Sequence, residues 1–208
     1  MTKLVTLLAI ALVSLNSFAG GKEGKGDAYK VNTTESEIIW KGKKVSGEHF
    51  GKLKFSKGLF EAHGGDLFGG RFEADMNSIT CDDLGKEYGD KLVGHLKSKD
   101  FFDVENHQYA SVEITNIQPE EGNQFTLEAN LTIKGITSQV VFPAEIFTTS
   151  KKIVARGEMV FDRTVYDIKY GSGKFFEGLG DRMIDDEVAI KFVIVAEKDQ
   201  EDHSGHNH

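Results

Sequence analysis

The feature that most constrains this chain is the run from Phe125 to Ile133, where every second residue is apolar. Phe125, Leu127, Ala129, Leu131 and Ile133 alternate with Thr126, Glu128, Asn130 and Thr132. Successive side chains of a strand point to opposite faces, so this stretch builds a strand with one dry face and one wet face. A helix would scatter the same five residues around its circumference. The alternation recurs at Ile38/Trp40, Leu53/Phe55, Phe72/Ala74/Met76 and Ala110/Val112/Ile114. It returns at Val140/Phe142/Ala144/Ile146, Ile153/Ala155/Met159/Phe161 and Val188/Ile190/Phe192/Ile194. Turn formers such as Glu121-Gly122-Asn123 separate most of these stretches, which predicts about eight antiparallel strands.

One segment departs from that rhythm. Leu84, Tyr88, Leu92 and Leu96 recur every fourth residue among charged neighbours, which predicts a single amphipathic helix. Asp82 or Asp83 is placed to cap its N-terminus. One helix cannot cover the dry face of so large a sheet. Rolling the sheet on itself buries that face and removes the edges. The expected fold is all-β with one amphipathic helix, an eight-stranded antiparallel β-barrel. Such a lumen has room for interdigitated side chains or for one slender ligand.

The ends of the chain read differently. Lys3, the apolar run Leu4–Leu15 and Ser17-Phe18-Ala19 have the form of a secretory signal peptide cleaved after Ala19. The apolar run is too short to span a bilayer, and nothing later in the chain approaches a membrane helix. Position 20 is Gly, where lipid attachment would need Cys. The expected division is 1–19 signal peptide, 20–28 flexible Gly/Lys-rich leader, 29–198 barrel and 199–208 acidic, His-rich tail. The expectation is a periplasmic or secreted protein that does not span the membrane. Cys81 is alone, so an oxidising compartment gives it no internal disulfide. A net charge of −8 disfavours nucleic acid and anionic membrane surfaces as partners. With 15 Phe, 23 Gly and only 2 Pro, the chain suits strands and turns better than a helical bundle.

Three ordered motifs sharpen this reading. His95-Leu-Lys-Ser-Lys-Asp-Phe-Phe-Asp-Val-Glu105, Leu131-Thr-Ile-Lys-Gly-Ile-Thr137 and Phe161-Asp-Arg-Thr164 closely resemble the signatures of the YceI-like family of exported barrels. Tyr29-Lys-Val through Trp40 resembles that family's first strand pair, so the similarity runs from about Tyr29 to Lys198. The resemblance implies a lipocalin-like barrel in the periplasm. It would bind a polyisoprenoid, a quinone-like lipid or another long-chain amphiphile. Two departures stand out. Asn106-His107-Gln108-Tyr109 lacks the Tyr-Pro that commonly follows Asp-Val-Glu, and Asp167 stands where many members have Gly. Either change puts a local turn in question.

The apolar set expected to face a ligand is Trp40, Phe72, Met76, Leu92, Leu96, Phe101, Phe102, Leu131 and Phe161. Gly171–Gly180 carries Phe175 and Phe176 on a glycine-flanked loop, which reads as a lid at the mouth or as a plug of one barrel end. His95 and Arg163 are candidates for a headgroup contact. His203, His206 and His208 would hold Zn²⁺, Cu²⁺ or Ni²⁺ only weakly, because the segment must be ordered to bind. No catalytic motif emerges, and no cofactor beyond a bound polyprenyl or quinone lipid is expected. A homodimer, a secreted enzyme acting on a lipid-like substrate and a structural barrel with a filled lumen remain alternatives.

Overall fold

A computed structural model describes residues 26–199. The expected signal peptide, most of the expected leader and the His-rich segment with His203, His206 and His208 lie outside the described residues. Among the described residues, nine strands and one α-helix are formed. They are β1 (Asp27–Val31), β2 (Glu37–Lys44), β3 (Gly47–His63), β4 (Asp66–Asp75), α1 (Lys86–Lys97), β5 (Tyr109–Pro119), β6 (Gln124–Ile133), β7 (Ile136–Thr148), β8 (Lys152–Asp162) and β9 (Ile184–Lys198). The sheet runs β1-β3-β2-β9-β8-β7-β6-β5-β4 and closes on itself through the pairing of β3 with β4.

The ring is an eight-stranded antiparallel barrel, as the alternation predicts, because β1 and β2 share one position. β1 lies between Leu59–Ala62 of β3 and Ala196–Lys198 of β9. β2 continues in the same direction between Gly47–Leu53 and Ile184–Val193 of the same two strands. The interruption is local chemistry. The Asn32 carboxamide oxygen accepts from the Thr34 and Glu35 N–H groups and from the Thr34 hydroxyl. Such a turn ends the first half-strand. Asp27 and Ala28, expected in the leader, are already paired in β1 with Ala62 and Glu61.

The interior half of each strand is the predicted one. Leu127, Ala129, Leu131 and Ile133 of β6 are all buried. The helix differs from expectation. Tyr88 is 67% exposed, and the inward stripe is Gly89, Leu92, Val93 and Leu96. Four-residue steps overshoot a helical turn by about 40° each, so a stripe of such steps winds off the buried face. Neither Asp82 nor Asp83 caps α1. Gly85 occupies that position without a side-chain bond.

Asp83 instead anchors a strap. Residues 78–83 leave β4 and run along the outer half of β3. Thr80 N–H donates to Lys52 O (3.0 Å) and Asp82 N–H to Phe50 O (2.9 Å). Phe50 N–H donates to Asp83 Oδ1 (3.0 Å). Trp40 Nε1 donates to Thr80 O at 2.8 Å. Gly51 makes this possible, since a Cβ there would lie 2.0 Å from Thr80 O.

One end of the barrel carries short turns between β3 and β4, β5 and β6, and β7 and β8. The other carries α1, residues 98–108 and the long 163–183 connection. Toward this second end β7 and β8 part. Their pairing stops at Ala144 and Gly157, although both strands continue. Tyr166, 1% exposed, packs edge-on against Phe161.

Candidate ligand-binding site

The barrel is solid at the short-turn end and hollow at the other. The solid half combines Tyr29, Phe60 and Ile153 with Ala62, Ala129, Ala144, Ala155 and Ala196, all at most 2% exposed. Small residues beside large ones let opposing strands interdigitate without leaving space. The hollow half contains a partly open cavity of about 300 Å³. That is at the lower end of the ~300–1,000 Å³ typical of small-molecule sites.

Nine residues expected to face a ligand line this cavity. Trp40, Phe72, Met76, Leu131 and Phe161 come from the strands and the turn after β4. Leu92 and Leu96 come from α1, with Phe101 and Phe102 just beyond it. α1 therefore forms part of the roof. Two lining positions were not singled out from the sequence, although they shape the space. Gly42 faces inward two residues after Trp40, and a Cβ there would meet nothing closer than 4.0 Å. Met159 adds an adaptable thioether to the wall.

Three expected contacts lie elsewhere. Phe175 and Phe176 are 48% and 51% exposed and do not line the cavity. Their loop is held from beneath by Ser172, which is fully buried and accepts from both phenylalanine N–H groups. Lys174 ties it down further through Asp162 (2.6 Å) and Asp186 (3.4 Å), and the Lys169 ammonium covers the Phe175 ring. Neither a plug nor a wall describes these rings. His95 also stands off the cavity, 3.3 Å from Asp100 and edge-on to Phe101 and Tyr170.

Arg163 does reach the wall but has no donor to spare. Its Nε donates to Asp185 O and one terminal nitrogen to Ile168 O and Tyr170 O. The other donates to Ile184 O and Asp186 Oδ1. A guanidinium has five N–H donors, and all are used. Burial lowers its pKa, and Asp186, Asp162 and Asp185 oppose that. Arg163 is the clamp of the 163–186 region and not a headgroup ligand.

The remaining polar wall groups gather toward the helix end: Lys43 and Lys44 of β2, His49 of β3, Ser111 of β5 and Asp185 of β9. His49 is bound to Asp83 at 2.7 Å. Burial disfavours the ionised Asp83, but hydrogen bonds from His49, Phe50 N–H and Cys81 outweigh it and lower the pKa. Sequence alternation concealed the two lysines, because they follow the last apolar residue of a strand and read as solvated tips. Their signal was position, at the end of a stave beside an inward glycine.

The two departures from the family motifs keep their turns. Asp167 adopts the left-handed conformation (φ +57°) that glycine would supply, and its N–H closes the 3-10 turn over Arg163–Tyr166. Aspartate tolerates that region better than most residues. His107 and Gln108 lead into β5 at Tyr109, and Gln108 O accepts from Met76 N–H.

A closed antiparallel barrel with an apolar chamber and a helical roof defines a lipocalin-like barrel. The sequence matches the YceI-like domain over residues 29–196. The chain belongs to the YceI-like family. Its fold is similar to that of BcnA from Burkholderia cenocepacia, at 24% identity over 80% of this chain and 99% of that one, with a TM-score of 0.64. It is also similar to a polyisoprenoid-binding domain from Saccharophagus degradans implicated in plant cell wall breakdown, at 14% identity over 82% and 98%, TM-score 0.59. A YceI protein from Campylobacter jejuni matches at 14% identity over 65% and 75%, TM-score 0.51. At these identities the likeness establishes the fold. No curated protein sequence matches the chain.

Proposed function

We propose that this protein is an exported lipid-binding barrel that holds the tail of a long-chain amphiphile in its hollow half and performs no chemistry on it. The observation that carries the reading is the partly open 300 Å³ chamber walled by Trp, Phe, Leu, Ile and Met side chains. Natural interiors are close-packed, so a void of this size leaves dispersion contacts unmade until something fills it. The polyisoprenoid-binding description of the Saccharophagus degradans domain supports a prenyl or quinone-like tail. Export to the periplasm or beyond is supported by Lys3 through Ala19, with cleavage near Ala19. Binding without catalysis is supported by the engagement of Arg163 and His49 in structural bonds.

Magnitudes agree with a carrier. A twelve-carbon tail gains roughly 10 kcal/mol gross at ~0.8 kcal/mol per methylene. Association alone costs about 4 kcal/mol or more. The remainder corresponds to binding in the tens of micromolar, tightening with each further buried carbon.

The test is organic extraction of the purified protein followed by mass spectrometry, with binding of added polyprenols and fatty acids to the stripped protein. Stoichiometric lipid, or saturable binding of either class, is expected. Gly42→Leu supplies the control. Its side chain has room to project into the chamber without displacing backbone, and it should weaken binding at least tenfold while leaving thermal stability intact. An empty extract together with no binding of either class would overturn the reading.

A further inference from the structure

We propose that the rim of the hollow end is a docking surface for a zwitterionic lipid bilayer, where the bound tail passes between chamber and membrane. The inference goes beyond the lipid-binding reading, on which its transfer step rests. Five exposed apolar side chains form one patch at this end: Val45 after β2, and Tyr170, Phe175, Phe176 and Met183 in the connection from β8 to β9. Contacts join them. Val45 N–H donates to Met183 O at 3.1 Å, and Met183 Sδ lies so near Gly173 that a Cβ there would be 2.8 Å away. Phe175 and Phe176 follow, each donating its N–H to Ser172 O at 3.1 Å. The patch also borders the chamber. The Tyr170 ring lies 5.5 Å from that of Phe101, and Gly171 fits closely against Ile184, both wall residues.

The solid end differs. Phe68 and Phe147 are exposed there, but each lies against its own neighbour, Phe68 against Gly26 and Phe147 beneath the Arg156 guanidinium. At the rim the rings stand together on a loop that Ser172 and Lys174 fasten to the barrel, so they are held outward and cannot fold away. Adjacent apolar groups fixed in water mark a surface that something covers. Charge selects what covers it. The neighbours of these residues along the chain are Lys43, Lys44 and Arg182 on one side of the balance and Glu177 and Asp181 on the other, all exposed. A rim of both signs suits headgroups that carry both signs. An anionic surface would repel a chain of net charge −8. Apolar tips can sink into the headgroup layer while long cationic side chains reach back to water. A chamber mouth set in that layer lets a tail leave without exposing its methylenes to water.

The experiment is flotation of the purified protein with phosphatidylcholine vesicles at low and high salt, paired with transfer of a fluorescent anthroyloxy-stearate from the protein to the same vesicles. Binding should survive high salt, because salt screens charges and leaves apolar insertion intact. Transfer should quicken in proportion to vesicle concentration. Phe175→Ser with Phe176→Ser should weaken flotation at least tenfold and make the transfer rate independent of vesicle concentration. Probe affinity and release into buffer should stay unchanged, since neither ring lines the chamber. Flotation of the variant equal to that of the unaltered protein would overturn the inference, as would binding that disappears at high salt. A dimer in sedimentation that the same variant abolishes would also overturn it, assigning the patch to a second copy. In all three cases the lipid-binding reading stands. Failure of the probe to bind the unaltered protein would instead sink that reading, and the transfer step with it.

Discussion

The two halves of the barrel share strands but not interiors. Leu127 and Ala129 of β6 belong to the solid half, while Leu131 and Ile133, further along the same alternation, wall the chamber. β8 repeats the contrast, with Ile153 and Ala155 at most 1% exposed and Met159 and Phe161 on the cavity. The difference arises across the barrel. At the solid end alanines from several strands meet the rings of Tyr29 and Phe60, and β1 completes the ring. At the hollow end β7 and β8 have separated and a helix roofs the gap. Period-two patterning therefore decides which face is inside, and the sizes of residues far apart in sequence decide whether the inside is full.

The comparison can be broken most severely at its boundary. Arg163→Ala removes all five donors of the clamp, orphaning four carbonyls and leaving Asp186 without its closest cation. Breaking a buried charge pair costs about 3–5 kcal/mol, so chemical denaturation should show the largest loss here. Arg163→Lys should recover only part of it, because an ammonium has three donors and no planar fork. Next come matched truncations. Ile153→Ala in the solid half should cost about 4 kcal/mol and Leu131→Ala in the hollow half about 2, because the first opens a new void and the second enlarges an existing one. Equal costs would show that the chamber is collapsed in solution.

A smaller effect follows from pH. Burial disfavours ionised Asp162, yet its bonds to Lys174 and Thr164 outweigh this and lower its pKa, as they do for Asp83 with its own partners. A carboxylate lowered in the folded state stabilises above its unfolded pKa, and that stability fades as pH falls through the folded value. Both groups sit at the hollow end. Hydrogen exchange below about pH 4 should therefore loosen Phe50 and Thr164 before Ala129 or Ile153. Simultaneous loosening would mean that the halves are one cooperative unit. The smallest effect belongs to Phe175 and Phe176. Changing both to Ser should move stability by no more than about 0.5 kcal/mol and leave the lipid off-rate unchanged, since neither ring touches the chamber. A faster off-rate would place a lid at the mouth after all.

The strands were legible because burial on one face leaves period two in the sequence, as Phe125 to Ile133 shows most clearly. Trp40, Phe72, Met76, Leu131 and Phe161 on the wall were legible for the same reason, and Leu92 and Leu96 through the helical period. The chamber was not, since Leu127 and Leu131 are indistinguishable until their cross-barrel neighbours are known. Tyr88 misled because four-residue spacing looks helical yet winds around the helix, whereas Gly89 marks the buried face without an apolar side chain to announce it. Phe175 and Phe176 misled because aromatic rings on a glycine-rich loop suggest a ligand, while Ser172, the residue that holds the loop, carries no hydrophobic signal.

The position of β9 between β2 and β8 has a consequence for how the molecule comes into being. The first staves of the ring are completed by the last of the described strands, so the ring cannot close until β9 is available. Until Ile184–Lys198 emerges, β2 and β8 each present a bare edge along most of their length. Contacts spanning nearly the whole sequence slow folding, and bare edges invite other chains. A chaperone that shields those edges would govern the yield of this barrel more than any single contact within it.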